Sequence, residues 1–342
     1  MKKDKKTFFK LGCILLAIML VNLVLNLAID NYGIFKKDLS KRENVPNERF
    51  VKMEYLLANT QKYDSLLLGS SRVAAINAKS LEGGKFYNLA IPISTPRENF
   101  RYLRILKKHG MKIKKVVYGI ENETFRYDTT KHCPLSVFGP KYFYYPETID
   151  EKLFFYTQYL FLFPYLNVNK EKWVHKDYLT DSGSSAQDYK GGIEPIEKEK
   201  FVKIRPSQLV YHDNNIKILK EIIAFCKEND IELTLFIVPE YKKHYLSQNV
   251  DKYNYYKKEL AKIQDYYDFS GLNEITKNEK NFFDDKHFNF KTGTLIVDRL
   301  YNQSKDTNPR IKNFGDYVTA DNIDEHIKVL KEQLKNVENS EL

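Results

Sequence analysis

The chain has 342 residues, 42% hydrophobic and 29% charged, a balance that excludes both a disordered tail and a multi-span membrane protein. Three cysteines, with no Cys-x-x-Cys pair among them, exclude a disulfide-built scaffold, a zinc ribbon and a thioredoxin-type redox site. The net charge of +10 is concentrated in part in the first ten residues; the remainder is too diffuse for a nucleic-acid face and suits an anionic membrane or wall polymer.

Leu11 to Ile29 is a run of 19 residues without a charge, interrupted only by Asn22 and Asn26. At about 1.5 Å per residue it covers roughly 28 Å, close to the thickness of a bilayer's hydrocarbon core. The lysines before it predict a cytoplasmic N-terminus and a body outside, although Lys36, Lys37, Lys41 and Arg42 make the far flank basic as well. A cleaved signal peptide is the competing reading; the run is long for one and no small-x-small site ends it. Cys13 precedes most of the apolar run, which argues against a lipoprotein. The organisation read from this is a cytoplasmic tip and anchor over 1–36 and a juxtamembrane linker and helix over 37–60. A single domain over 61–303 follows, then a tail over 304–342.

Within that domain strands and helices alternate. Strands are expected at Tyr63–Gly69, Phe86–Ile91, Ile113–Ile120, Ile231–Val238 and Tyr267–Phe269, and helices at Thr95–His109, Ile216–Glu228 and Tyr253–Tyr266. This rhythm predicts an α/β fold with a mostly parallel sheet in three layers and a site at the carboxyl ends of the strands. Residues 122–205 break it. Ser136 to Leu166 holds twelve aromatic residues, and Asp181–Gly192 reads as a loop. The segment is taken as an insertion over the site-bearing face: either a lid with its own small core, or an aromatic platform for sugar rings or a membrane partner. Ile323, Ile327, Leu330, Leu334 and Val337 form a helical seam in the tail, opened by Asp321 or Asn322. It is expected to pack on the body or to pair weakly.

Two stretches carry chemistry. Gly69-Ser70-Ser71-Arg72 lies where the first strand gives way to the helix-like Val73–Leu81, which presents a serine at the sheet edge, where a helix N-terminus favours negative charge. Asp284-Asp285-Lys286-His287 lets one loop hold a carboxylate against imidazole Nδ1, freeing Nε2 to take a proton from serine. Each has a plainer reading, an anion-binding turn and a surface Asp-x-x-His pair. Together they resemble the SGNH (GDSL-like) hydrolase superfamily, whose first block is Gly-Asp-Ser or Gly-Ser-Ser and whose last is Asp-x-x-His. The resemblance covers roughly 62–122 and 206–303 and implies a flavodoxin-like fold. It places the nucleophile on Ser71, with Ser70 as the alternative, the base on His287 and the orienting carboxylate on Asp284.

For the oxyanion, the second block has no glycine, so a backbone donor near Ile93 or Ser94 is expected; in the third block Asn122 is the candidate, with Glu121 as well placed. The single span with a Gly-Ser-Ser block resembles the membrane-anchored branch of envelope acyl transfer. That branch includes the teichoic-acid D-alanylation (DltD-like) proteins and partners of membrane-bound O-acyltransferases. The implied function is an extracytoplasmic serine acyltransferase or esterase acting on a cell-envelope glycan or teichoic-acid-like polymer. A multi-span membrane O-acyltransferase is a possible partner, and no cofactor or metal is implied. The alternative is a non-catalytic subunit that docks such an acyltransferase or binds a glycan. The seven histidines show no metal-ligand spacing, and Cys133 and Cys226 either bridge or remain free thiols.

Overall fold

The computed structural model describes residues 2–30, 32–35, 47–126, 144–161, 182–183, 210–301 and 311–340. The first element is α1 (Lys2–Ile29), and its stretch from Lys5 to Ile29 is long and apolar enough to cross a membrane. All but one of its leucines, isoleucines and valines stand exposed, Leu23 being partly covered. Asp30 stops it in a left-handed conformation (φ 46°), and the Asp30 carboxylate accepts the backbone N–H groups of Ile34 and Phe35 at 2.8 and 3.1 Å. That turn is fastened to the body by a hydrogen bond from Asn47 N–H to Tyr32 O (2.7 Å). Asn47 then caps α2 (Glu48–Ala58) by accepting from Phe50 N–H.

Six strands form one sheet in the order β2-β1-β3-β4-β5-β6. They are β1 (Ser65–Leu68), β2 (Phe86–Asn88), β3 (Lys115–Ile120), β4 (Glu232–Ile237), β5 (Tyr266–Asp268) and β6 (Asp316–Val318). The first five run parallel, in the order 2-1-3-4-5 of a doubly wound sheet, and β6 closes the edge antiparallel to β5. Alternation of side chains sends Leu66, Leu68, Val116, Tyr118, Leu235 and Ile237 to one apolar layer. Leu67, Val117 and Phe236 go to the other. Both faces of the central strands are thus dry, as a parallel sheet requires.

The first layer is covered by α2, α3 (Pro96–Lys108), α5 (Asn214–Glu228), α7 (Val250–Ala261) and the C-terminal α10 (Ile323–Ser340). The second lies under α8 (Glu274–Lys277) and α9 (Phe290–Tyr301). A short α6 (Lys242–Leu246) follows β4. The tail seam packs on the body: Ile323, Ile327 and Leu330 are buried there, and Gln333 Oε1 accepts from Leu272 N–H. Asn322 stands at the expected cap position, its carbonyl accepting His326 N–H, while its side chain braces the preceding turn, accepting from Thr319 N–H and donating to Tyr317 O.

One expectation changes. Val73–Leu81 is not a helix of useful length but two 3₁₀ turns, Ser71–Ala75 and Ala78–Ser80, separated by extended backbone at Ile76 and Asn77. The Asn88 side-chain amide lies within hydrogen-bond distance of the carbonyls of Val73, Ala74 and Ile76, which takes the acceptors a continuing helix would need. Of the insertion 122–205, most lies outside the described residues, the greater part of the Asp181–Gly192 loop included. Its described helix α4 (Ile149–Phe161) leans on α2 and α1, through Phe155 stacked on Phe50 and Tyr159 edge-on to Tyr32. Cys133 lies outside the described residues, while Cys226 is a buried free thiol on α5, raised to about 12 by burial.

Candidate functional site

The turn after β1 needs glycine. Gly69 has φ 147°, and a Cβ there would meet Val73 Cγ2 at 2.5 Å. Its tight geometry leads into Ser70, which caps the 3₁₀ turn, and Ser71, which opens it half-exposed at the carboxyl edge of the sheet. On the far side of the chain, Phe283 and Phe288 fix a tight loop: Phe282 and Phe288 form an antiparallel bridge, and Phe283 N–H donates to His287 O at 2.7 Å. Inside the loop the Asp284 carboxylate is fully used. Oδ1 accepts the backbone N–H groups of Lys286 and His287, both at 2.7 Å, and Oδ2 accepts His287 Nδ1–H at 2.7 Å. With Nδ1 committed as donor, Nε2 is the acceptor, and Ser71 Oγ lies 2.9 Å from it. Ser71, His287 and Asp284, 216 residues apart at the extremes of the first pair, thus form a continuous relay.

Burial works to raise the Asp284 carboxyl, and the hydrogen bond and charge of His287 with the two loop N–H groups outweigh it, leaving Asp284 at about 2. The alternative serine is differently placed. Ser70 is buried, and its Oγ donates to Glu121 Oε2 at 2.9 Å, with no imidazole among its partners.

The oxyanion candidates divide. Ser94 N–H is spent on Ile91 O (3.1 Å), and its hydroxyl donates to Gly69 O (2.7 Å), so Ser94 braces the serine turn. Ile93 adopts φ 55°, an uncommon conformation for a β-branched residue, and its N–H has no partner among the described residues. The Ser71 N–H is likewise unpaired among them. Because the Ser94 hydroxyl and the Ile91 N–H both donate to Gly69 O, the 91–94 turn lies against the turn that carries Ser71. Asn122 is not brought to the serine: it is fully buried and its amide donates to Gln248 Oε1. The reason is local, since Glu121 and Thr124 close a reciprocal cap that turns the chain inward directly after β3.

Behind the serine stands a buried ion cluster that the sequence reading did not contain. Arg72 lies between three carboxylates: Nε to Glu121 at 2.9 Å, Nη2 to Glu123 at 2.8 Å and Nη1 to Glu240 at 2.5 Å. His244 Nε2 adds a contact to Glu123 at 3.1 Å, and Gln248 donates to Glu240 at 2.5 Å. Burial would lower the Arg72 guanidinium, but Glu123, Glu121 and Glu240 together hold it well above its usual range. Glu123 is pressed upward by burial and pulled well below the usual range by Arg72 and His244, whereas burial and the neighbouring Glu123 and Glu240 raise Glu121 despite Arg72. Glu123, Glu240 and His244 place one donor atom each within 4.8 Å of the others, a spacing that suits a metal ion. Arg72 already bonds Glu123 and Glu240 and lies 3.1 Å from His244 Nε2, so an organic cation fills the role of a metal here. The only trace of the cluster in the sequence is that Arg72, Glu121 and Glu240 each stand within four residues of a strand's end.

Neither a family model nor a curated protein matches this chain.

Proposed function

We propose that the protein is a membrane-anchored serine acyltransferase or esterase of SGNH type. Its substrates would be O-acyl groups of a cell-envelope glycan or teichoic-acid-like polymer outside the membrane. The observation that carries this reading is the relay Asp284–His287–Ser71, with contacts of 2.7 and 2.9 Å and the imidazole tautomer fixed by Asp284. The sheet order 2-1-3-4-5 and a site at the carboxyl ends of β1 and β3 support it. The lysines in the first turns of α1, ahead of its apolar run, support a cytoplasmic N-terminus.

On this reading His287 Nε2 takes the Ser71 proton as Oγ attacks the acyl carbonyl. The oxyanion that forms lies toward the unpaired N–H groups of Ser71 and Ile93, which need no reorganisation to receive it. The imidazolium, stabilised by Asp284, returns its proton to the departing alkoxide, leaving an ester on Ser71. An acceptor hydroxyl, deprotonated by His287, then attacks that ester and carries the acyl group away; water in its place makes the protein an esterase.

One observation favours a second reading. With Asn122 turned inward, the amide expected from the third block is not presented to the oxyanion, as suits a subunit that docks a membrane-bound acyltransferase or binds a glycan without reacting. Turnover of p-nitrophenyl acetate by the purified full chain separates the two. We expect Ser71→Ala to fall to background and His287→Ala to lose about 10²–10⁴-fold, the usual contribution of a positioned base. Equal turnover in wild type and Ser71→Ala supports the non-catalytic reading.

A further inference from the structure

The two asparagines that interrupt α1 have a structural use. Asn22 Nδ2 donates to Phe161 O at 3.1 Å and Asn26 Nδ2 donates to Leu160 O at 2.9 Å. These acceptors are carbonyls of the last turn of α4, which have no partner within their own helix. Asn26 and Asn22 stand three and seven residues before the end of α1, so at 1.5 Å per residue they lie about 5 and 10 Å below it. If α1 spans a bilayer, the C-terminal turn of α4 is therefore at the depth of the acyl chains. There a free carbonyl is costly, and an asparagine amide is what removes the cost.

The composition of α4 fits that depth. Its charges, Asp150, Glu151 and Lys152, all fall in the first turn, where Glu151 pairs with Arg101 of α3; Leu153 to Phe161 carries none. The inward side, Phe155 and Tyr159, packs on Phe50, Tyr32 and the Asn47 amide. The other side is a stripe of Leu153, Phe154, Thr157 and Phe161, and Leu153 and Phe154 are 69% and 57% exposed. A helix with charge at one end and an uncharged aromatic stripe along its length is suited to lie in a membrane interface.

We propose that α4 is a second membrane-embedded element. It would lie against α1 in the leaflet next to the α/β body, with Leu153, Phe154 and Phe161 in contact with lipid. The bilayer, rather than a partner protein, is the occupant because the stripe continues the exposed apolar surface of α1 and the Asn22 and Asn26 contacts fix its depth. The inference rests on the reading of α1 as a span and is independent of any chemistry at Ser71. It also makes the anchor rigid. Phe155 of α4 stacks on Phe50 of α2, and α2 in turn holds the chain beside the serine turn, through Lys52 Nζ to Ala90 O (2.6 Å) and Arg49 Nη2 to Pro92 O (2.7 Å). The 90–94 wall of the candidate site is thus only two packed elements from lipid, and the body is held in one orientation on the membrane.

The test uses the full chain in phosphatidylglycerol–phosphatidylethanolamine vesicles, with Cys13, Cys133 and Cys226 replaced and an environment-sensitive NBD label placed on single cysteines. The labelled variants are Leu153→Cys and Phe161→Cys, with Ile18→Cys inside α1 and Tyr317→Cys on β6 as controls. Lipids carrying a nitroxide quencher high or low on the acyl chain report depth. We expect the labels at 153 and 161 to be quenched, 161 more deeply than 153, the label at 18 to be quenched most by the deep probe, and the label at 317 to be unaffected. Quenching at 18 without quenching at 153 and 161 overturns the proposal and leaves the span. Loss of quenching at 18 removes the span and the proposal with it. A blue shift at 153 or 161 without lipid quenching means that protein covers the stripe, and also overturns the proposal. The same pattern in a Ser71→Ala background keeps this result separate from the fate of the catalytic reading.

Discussion

Asp284 satisfies three donors with one carboxylate, and the division of labour between its oxygens matters. Oδ1 holds the loop through the N–H groups of Lys286 and His287, and Oδ2 holds the imidazole. Replacing it by asparagine puts an amide donor where an acceptor is needed, so the Nδ1–H tautomer loses its support. The same carboxylate gives stability a sign with pH. Its folded value of about 2 lies below the ordinary 3.8, so the folded state binds the proton less readily than the unfolded chain. The stabilisation is complete above about pH 4 and is lost as pH falls toward 2. Denaturant titrations of wild type and Asp284→Asn are expected to show wild type more stable at pH 7, with the gap closing toward pH 2. The effect is small, because the Asp284 side chain is half-exposed. A gap that widens on acidification contradicts this assignment. Ser71, Asp284 and His287 were legible in the sequence because each belongs to a short pattern at a turn between recognisable elements. Ile93 was legible only as a backbone position, since its left-handed conformation has no signature in a β-branched residue.

At the level of elements, Arg72 is the tie. It follows β1, and its three carboxylate partners follow β3 and β4, so one guanidinium fastens the carboxyl ends of three neighbouring strands under the serine. Both neighbours of Ser71 are therefore held: Ser70 by Glu121 and Arg72 by all three glutamates. Arg72→Met would leave Glu121, Glu123 and Glu240 buried without their cation, and removing one partner of a buried ion pair costs about 3–5 kcal/mol. Arg72→Lys keeps the charge and loses the fork that reaches three acceptors at once, so an intermediate loss is expected. Chemical denaturation of the three forms checks the order wild type, Lys, Met; a Met variant as stable as wild type would show that the cluster contributes no net stability. This cluster escaped the sequence because the partners of Arg72 stand 49 to 172 residues from it and none forms a motif with it. The 3₁₀ break after Ser71 escaped for a related reason. Alanine-rich Val73–Leu81 has good helical propensity, and the amide that interrupts it comes from Asn88 on the neighbouring strand. It follows that any electrostatic help to an oxyanion comes from single N–H groups rather than from a long helix dipole.

Over the whole molecule, alternation of apolar strands and amphipathic helices was sufficient for the α/β class and for five parallel strands. The edge strand β6 was not seen, being three residues, Asp316–Val318, with only one buried side chain. The aromatic-rich insertion was read as a cover for the site, and its described helix packs against α1. Aromatic content marks a surface to be buried without saying what buries it, and the partner is identified by two asparagines that lie more than a hundred residues earlier. Taken together, the anchor, the α2 brace and the strand-end cluster converge on Ser71, and the account depends on that serine being activated. Fluorophosphonate labelling of the purified full chain, followed by peptide mapping, tests this most directly. The account predicts modification at Ser71 that persists in Ser70→Ala and disappears in Ser71→Ala and His287→Ala; label on Ser70, or none on a folded wild-type chain, would contradict it.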